Sequence, residues 1–317
     1  MSGPSTGGRD PVAPPPAPPA AAGRGAAPAS FGLTDLMLVS MALLWGVNFS
    51  VVKFGTDVMS PLAFNGTRMA LAAVALSAVA ATMRGRWPSA ELTSRLLLLG
   101  VLGNGVYQYL FVEGIARTRA GNAALMLAAT PAFVALIGRL LGVERIGWRG
   151  IAGIAVSVAG IGLIVASTAQ GTASQTSVAG DLLVLGACLS WALYTVLLKP
   201  FTHEVDGVVL SAITMVGGTV PLLIVAAPAL AAVGWGALTW PAMGAIVYSG
   251  LGALVLAYLF WYRGVRTLGP TRTATYANLQ PVIALLVAWL TLGETPTAFQ
   301  VAGVVLILGG VLMTRRG

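Results

Sequence analysis

The chain has almost no sulfur or imidazole chemistry to offer: one cysteine, Cys188, and one histidine, His203, in 317 residues. A single cysteine cannot close an internal disulfide, and one histidine leaves too few ligands for a zinc site. Charge is equally scarce. Only 9% of residues are Asp, Glu, Lys or Arg, against about 25% in an ordinary soluble domain. With 57% apolar residues and a mean hydropathy of +0.86, too little polar surface remains to dissolve a globule of this length in water, so the solvent must be lipid. Acidic residues are the scarcer sign, ten against eighteen basic ones. The net charge of +8 would suggest nucleic acid in a soluble protein, but the distribution of the cations described below accounts for it and no nucleic-acid partner is expected.

The first 30 residues lack large apolar side chains and hold eight prolines and five glycines. This composition predicts a disordered cytoplasmic tail over 1–32, without the apolar core of a secretory signal. Beyond it, apolar runs of 17–23 residues alternate with short polar, Gly/Pro or Arg-containing joints. They predict ten spans near 35–54, 62–83, 96–116, 121–141, 149–167, 181–199, 208–228, 242–262, 271–292 and 298–314. No two-residue alternation of polarity is present, so the spans are helices and not barrel strands. With the N-terminus inside, fourteen cations fall on the inner side and Lys53, Arg117 and Arg119 on the outer. The split places both termini in the cytoplasm.

An internal repeat is the most informative pattern. A shift of 146 aligns Asp35 with Asp181, Trp45 with Trp191 and Lys53 with Lys199; a shift of 150 aligns Pro131 with Pro281, Glu144 with Glu294 and Gly160 with Gly310. The copies are 33–167 and 178–314, five spans each, and an odd number of spans sets them upside down relative to one another, as in secondary transporters.

The residues LLWGVNFSVVKFG, SPLAFNGTRMALAA, the run from Ala120 to Val165 with its Pro131, and LQPVIALLVAWLTLGETPTAFQ with its Pro281 and Glu294 resemble both EamA repeats of the drug/metabolite transporter superfamily, over roughly residues 35–314. That resemblance implies ten helices around a central cavity, alternating access, export of amino acids or other small metabolites across the bacterial inner membrane, and a peripheral position for the fifth and tenth helices.

Candidate site residues follow from placement. Arg68 falls inside the second span without a charged repeat mate; it could hold a substrate carboxylate, snorkel, or form a structural pair, with Glu113 as counter-ion or coupling group. Trp45 and Asn48 share one helix face, as do their mates Trp191 and Tyr194. Asn104 and Gln108 add amides on one stripe, with Tyr107, Tyr258 and Trp261 nearby by repeat position. Asn278 and Gln280 stand beside Pro281, and Pro131 and Pro281 free the carbonyls of Leu127 and Ala277 and suit gating. Asp35 and Asp181 read as N-terminal caps, Lys53 and Lys199 as helix ends, and Glu144 and Glu294 as starts of the helices that follow them. The stripe Gly150, Gly153, Ser157, Gly160 permits close packing or a homodimer through the fifth and tenth helices. There is no HExxH, Asp-rich or Gly-x-Ser-x-Gly motif, no histidine within a span and no Walker sequence. An enzyme is therefore disfavoured, direct use of ATP is excluded, and no cofactor or metal is implied. The expected partners are a small-molecule substrate and the bilayer. A passive channel or facilitator is the alternative, and a membrane-embedded enzyme a weaker one.

Overall fold

The computed structural model describes residues 32–83, 87–143, 147–170, 177–268, 273, 276–277 and 279–316. The Pro-rich tail and Glu144 lie outside them. The described chain is helical: α1 Leu33–Val58, α2 Pro61–Thr82, α3 Ala90–Arg117, α4 Ala120–Leu140, α5 Trp148–Gln170, α6 Val178–His203, α7 Gly207–Ala231, α8 Trp240–Leu268, α9 Gln280–Leu292 and α10 Ala298–Arg316. Among the described residues, eight of these (α1–α8) are long and apolar enough to cross a membrane, and α9 and α10 are shorter apolar helices. Large apolar side chains point outward, with Trp240 83%, Leu98 71% and Ile224 71% exposed. A surface of that kind needs hydrocarbon around it.

Local chemistry sets the helix ends. Ser60 accepts from Ala63 N–H with Pro61 in the first turn, Ser89 accepts from Leu92 N–H, Ser177 from Gly180 N–H and Asp206 from Val208 N–H. Thr297 and Gln300 form a reciprocal capping box at α10, Thr297 Oγ1 accepting from Gln300 N–H and Gln300 Oε1 from Thr297 N–H. Gly293 ends α9 in the left-handed region, φ 68°.

Several expected end signals prove to be inter-helix ties. Asp35 and Asp181 lie within the first turns of α1 and α6, and Ser177 is the cap of the latter. Both carboxylates are buried; Asp35 accepts from the Tyr276 hydroxyl and Asp181 from the Thr118 hydroxyl. Lys53 does not end α1, which runs five residues further to Val58; its ammonium is buried and donates to the Ala116 carbonyl at 3.1 Å. Glu294 does not start α10. Its carboxylate instead accepts from Ala120 N–H (3.0 Å) and Gly121 N–H (3.1 Å), the first donors of α4, with Arg119 Nε at 3.7 Å. A carboxylate at those orphan N–H groups caps the helix start with charge-assisted hydrogen bonds and suits the positive end of its dipole.

The small-residue stripe of α5 is spent inside the chain. A Cβ on Gly310 would come within 2.4 Å of the Gly153 carbonyl and Ser157 Oγ, and one on Gly160 within 2.8 Å of the Gly303 carbonyl. The backbones of α5 and α10 therefore touch, as small-residue seams allow. The two largest apolar clusters hold the helices together. One, around Phe49, Phe64, Phe111 and Phe133, draws buried residues from every helix but α7; the other, around Met69, Leu76, Leu210 and Leu254, draws on α2, α3, α6, α7 and α8. Between these clusters lies the polar group described next.

Candidate functional site: a buried guanidinium and its neutral cage

Arg68 stands seven residues into α2, about 10 Å from its start at 1.5 Å per residue, and is 0% exposed. All three of its bonded nitrogens are held by neutral groups: Nε donates to Asn65 Oδ1 at 3.1 Å, Nη1 to Ser249 Oγ at 2.8 Å, and Nη2 to Gln108 Oε1. Asn65 in turn donates from Nδ2 to the Gln108 carbonyl at 2.9 Å, which fixes α2 against α3. The guanidinium carbon lies 6.0 Å from the Phe111 ring centre. No carboxylate among the described residues pairs with Arg68. A full positive charge is thus buried and hydrogen-bonded, but not neutralised, and such a charge in an apolar bundle is costly.

Glu113, expected as the counter-ion, is committed elsewhere. Its carboxylate pairs with Arg117 one turn on in the same helix, and Arg117 also donates to the Glu113 carbonyl. The two residues stand i, i+4 on α3, where opposite charges are neighbours on one helix face.

The aromatic residues form two groups. Trp45 donates from Nε1 to the Ala253 carbonyl at 2.9 Å and packs against Tyr258 (ring centres 5.8 Å) and Trp261 (5.9 Å). Trp191 packs between Tyr107 (5.0 Å) and Tyr194 (5.2 Å), and Tyr107 stacks on Phe111 (5.6 Å). Through Phe111 the second group reaches the guanidinium. Tyr194 is buried and donates to Thr214 Oγ1 at 3.2 Å, whereas Trp45, Tyr107, Trp191 and Tyr258 stay half-buried. Trp45 and Trp191 make no direct ring contact among the described residues, but Tyr258 of the first group and Trp191 of the second pack against the same apolar cluster. Asn48 and Asn104 are buried, and the Oδ1 atom of each has no donor among the described residues. Gln280 opens α9, where Gly46 leaves room for it: a Cβ on Gly46 would sit 3.2 Å from the Gln280 carbonyl. Asn278 lies outside the described residues.

Pro131 and Pro281 are not kinks in continuous helices. Each sits in the first turn of a fresh segment, Thr130–Leu140 and Gln280–Leu292, where its missing N–H costs nothing. The Leu127 carbonyl that Pro131 was expected to free accepts from Thr130 Oγ1 at 2.6 Å. The break of α4 at Ala128–Ala129 is real, and two half-helices joined by a turn make a better hinge than a bent rod.

One model of a known family, described as an EamA-like transporter family, matches residues 32–166 and again 178–316. The chain belongs to the EamA-like transporter family. A relative from Streptantibioticus cattleyicolor, named a probable terminal-alkyne amino-acid exporter, is 31% identical over 88% of this chain and 92% of its own. A probable amino-acid metabolite efflux pump of Salmonella typhimurium is 29% identical over 88% of this chain and 93% of its own, and an uncharacterized transporter of Bacillus subtilis, YyaM, 27% over 87% and 92%. A protein of known crystal structure shares the fold with a TM-score of 0.60 at 20% identity, over 89% of this chain and 98% of that one. The Arg68 cage of this EamA family member draws on both matched segments: Asn65, Arg68 and Gln108 from the first, Ser249 from the second.

Sequence reasoning missed Asn65 and Ser249. Asn65 was findable, because it stands three residues before Arg68 on the same face. Ser249 was not, because its reach depends on a local change of helix type. Both α3 and α8 carry π-helical stretches, Val101–Val106 and Tyr248–Leu256, which overlap under the 150-residue shift. Such stretches re-aim side chains and recur at functional sites, yet a Gly-rich apolar run gives no pattern by which to foresee them.

Proposed function

We propose that this chain is a secondary transporter that exports a small carboxylate-bearing metabolite, such as an amino acid, from the bacterial cytoplasm by alternating access, with ten helices arranged as two inverted repeats, 33–167 and 178–314. The observation that carries the proposal is the unneutralised Arg68 guanidinium, held by neutral groups from both copies in the core of an apolar bundle. A structural arginine gains most from a carboxylate beside it; one left with three neutral acceptors keeps its charge for an anion that comes and goes. Since Arg68 is fully buried, that anion enters only when helices part, which is the defining step of alternating access and is not needed in an open pore.

The end of the bundle that holds Thr118, Arg119 and Glu294 is tied shut by the Thr118–Asp181 and Glu294–α4 bonds. With the fourteen-to-three cation split placing that end outside, the molecule is in a state closed to the periplasm. Trp45, Asn48, Asn104, Gln108, Trp191, Tyr194, Tyr258 and Gln280 are the further substrate contacts in this reading, and the α4 break before Pro131 is a hinge. The printed names of the S. cattleyicolor and S. typhimurium relatives support amino-acid export.

The direct check is an export screen in cells with and without the gene, using amino acids and their toxic analogues. Expression should raise resistance to at least one analogue and increase the medium concentration of the matching amino acid. Resistance to none, with the protein present in the membrane, contradicts the proposal.

A further inference from the structure

Lys53 and Lys199 are repeat mates that stand in opposite surroundings. Lys53, near the outer end of α1, is 6% exposed; its ammonium donates to the Ala116 carbonyl of α3 at 3.1 Å and lies 3.9 Å from Asp57, a carboxylate that is 53% exposed. Lys199, at the inner end of α6, is exposed. Burial of the first is not forced on it. A lysine stem one turn from a helix end can carry its charge out to the interface, and Asp57 on that last turn of α1 already meets solvent. An ammonium that stays inside against that alternative gains more from its bonds than it loses in hydration. Its acceptor needs it too: the Ala116 carbonyl is among the last four of α3, which have no donor within their own helix.

The bond joins two helices that part elsewhere. α1 and α3 run side by side where Phe49 meets Phe111, ring centres 5.7 Å apart, and where Lys53 meets Ala116. Toward their starts each takes a different neighbour, Leu38 of α1 lying on Gly264 of α8 and Leu97 of α3 on Gly217 of α7. The parts for an equivalent tie exist at the opposite end. The 146-residue shift turns Lys53 into Lys199, and the 150-residue shift turns Ala116 into Arg266, whose carbonyl is among the last four of α8. Packing keeps that register: Gly114 of α3 lies on Val184 of α6 as its mate Gly264 of α8 lies on Leu38, the mate of Val184.

We infer that Lys53 and Lys199 are alternating latches. Lys53 closes the outer end on the Ala116 carbonyl in the state described here, and Lys199 closes the inner end on the Arg266 carbonyl once the outer end has opened. Each half-cycle returns one ammonium to water and withdraws the other. The two hydration costs offset each other, which keeps the states close enough in free energy for a carrier to visit both.

The inference rests on the inverted-repeat, alternating-access reading, and two measurements separate them. A Thr118→Cys probe, at a position fully buried two residues from Ala116, is placed on a Cys188→Ser background and labelled in intact cells with an impermeant thiol reagent. Lys53→Ala should speed labelling about tenfold or more, the worth of one charged hydrogen bond, whereas Lys53→Arg, which still donates, should leave it slow. Lys199→Ala should slow labelling by a similar factor, because the outward-open state loses its latch. Loss of folding cannot produce that opposite effect from an exposed residue at the far end of the molecule. Stimulated exchange of a labelled mixture of the twenty standard amino acids is measured in proteoliposomes of the wild-type chain. Unchanged labelling in either alanine variant, or faster labelling in both, overturns the latches, and saturable exchange by the wild type then leaves alternating access standing. Absence of stimulated exchange in the wild type overturns the reading on which the latches rest.

Discussion

Arg68→Lys is expected to raise the apparent KM for export roughly 10- to 150-fold, because a charged hydrogen bond is worth about 1.5–3 kcal/mol. The lysine keeps the charge but loses the planar fork, which alone can hold Asn65, Gln108 and Ser249 while presenting an edge to a carboxylate. Arg68→Ala should lose saturable export altogether. It also strands three acceptors in the core, so part of its effect will be on stability; the lysine variant is the cleaner reading because it still supplies donors. Glu113→Ala provides the contrast. Since that carboxylate serves Arg117, its removal should leave KM within about twofold, in keeping with the small worth of a partly exposed ion pair. Transport kinetics in membrane vesicles, with melting temperatures of the purified variants, check all three. An unchanged KM in Arg68→Lys would make Arg68 a structural group.

Glu294→Gln should release the closed end of the bundle. The carboxylate holds the first two N–H groups of α4 and faces Arg119 from 13% exposure, so the substitution forfeits charge assistance in each bond. A loss of about 2 kcal/mol shifts an open–closed equilibrium roughly 30-fold. Thr118 is fully buried against Asp181 in the closed arrangement. A Thr118→Cys probe on a Cys188→Ser background should therefore react slowly with an impermeant thiol reagent applied from outside, and more than tenfold faster once Glu294→Gln is added. Equal rates would mean that the carboxylate is only a helix cap with no share in gating.

Much of this was readable in advance where it depends on one helix at a time. The positions of the apolar runs, the Ser and Pro residues at their joints and the small residues of α5 follow from lipid as solvent and from capping chemistry. What the residues could not disclose is which helix each end signal would serve. Asp181 reads as a cap for its own helix and instead grips Thr118; Glu294 stands before α10 and caps α4, more than 170 residues away in the chain. Glu113 carries a different lesson. Its partner Arg117 was visible four residues on, and local geometry should have been preferred to a distant match in depth. The π-helical stretches that carry Asn104 and Ser249 include close glycine contacts between helices, such as Gly105 against Gly218, and a tertiary contact of that kind has no signature in periodicity.

In an alternating-access transporter the buried cage around Arg68 is visited from one side at a time. Proteoliposomes preloaded with an exported amino acid test it most directly, through uptake of the same labelled amino acid from outside. Alternating access predicts saturable uptake that is accelerated by the internal load and is lost in Arg68→Ala. Uptake that rises linearly with concentration, indifferent to the internal load, would contradict the account and identify a passive channel.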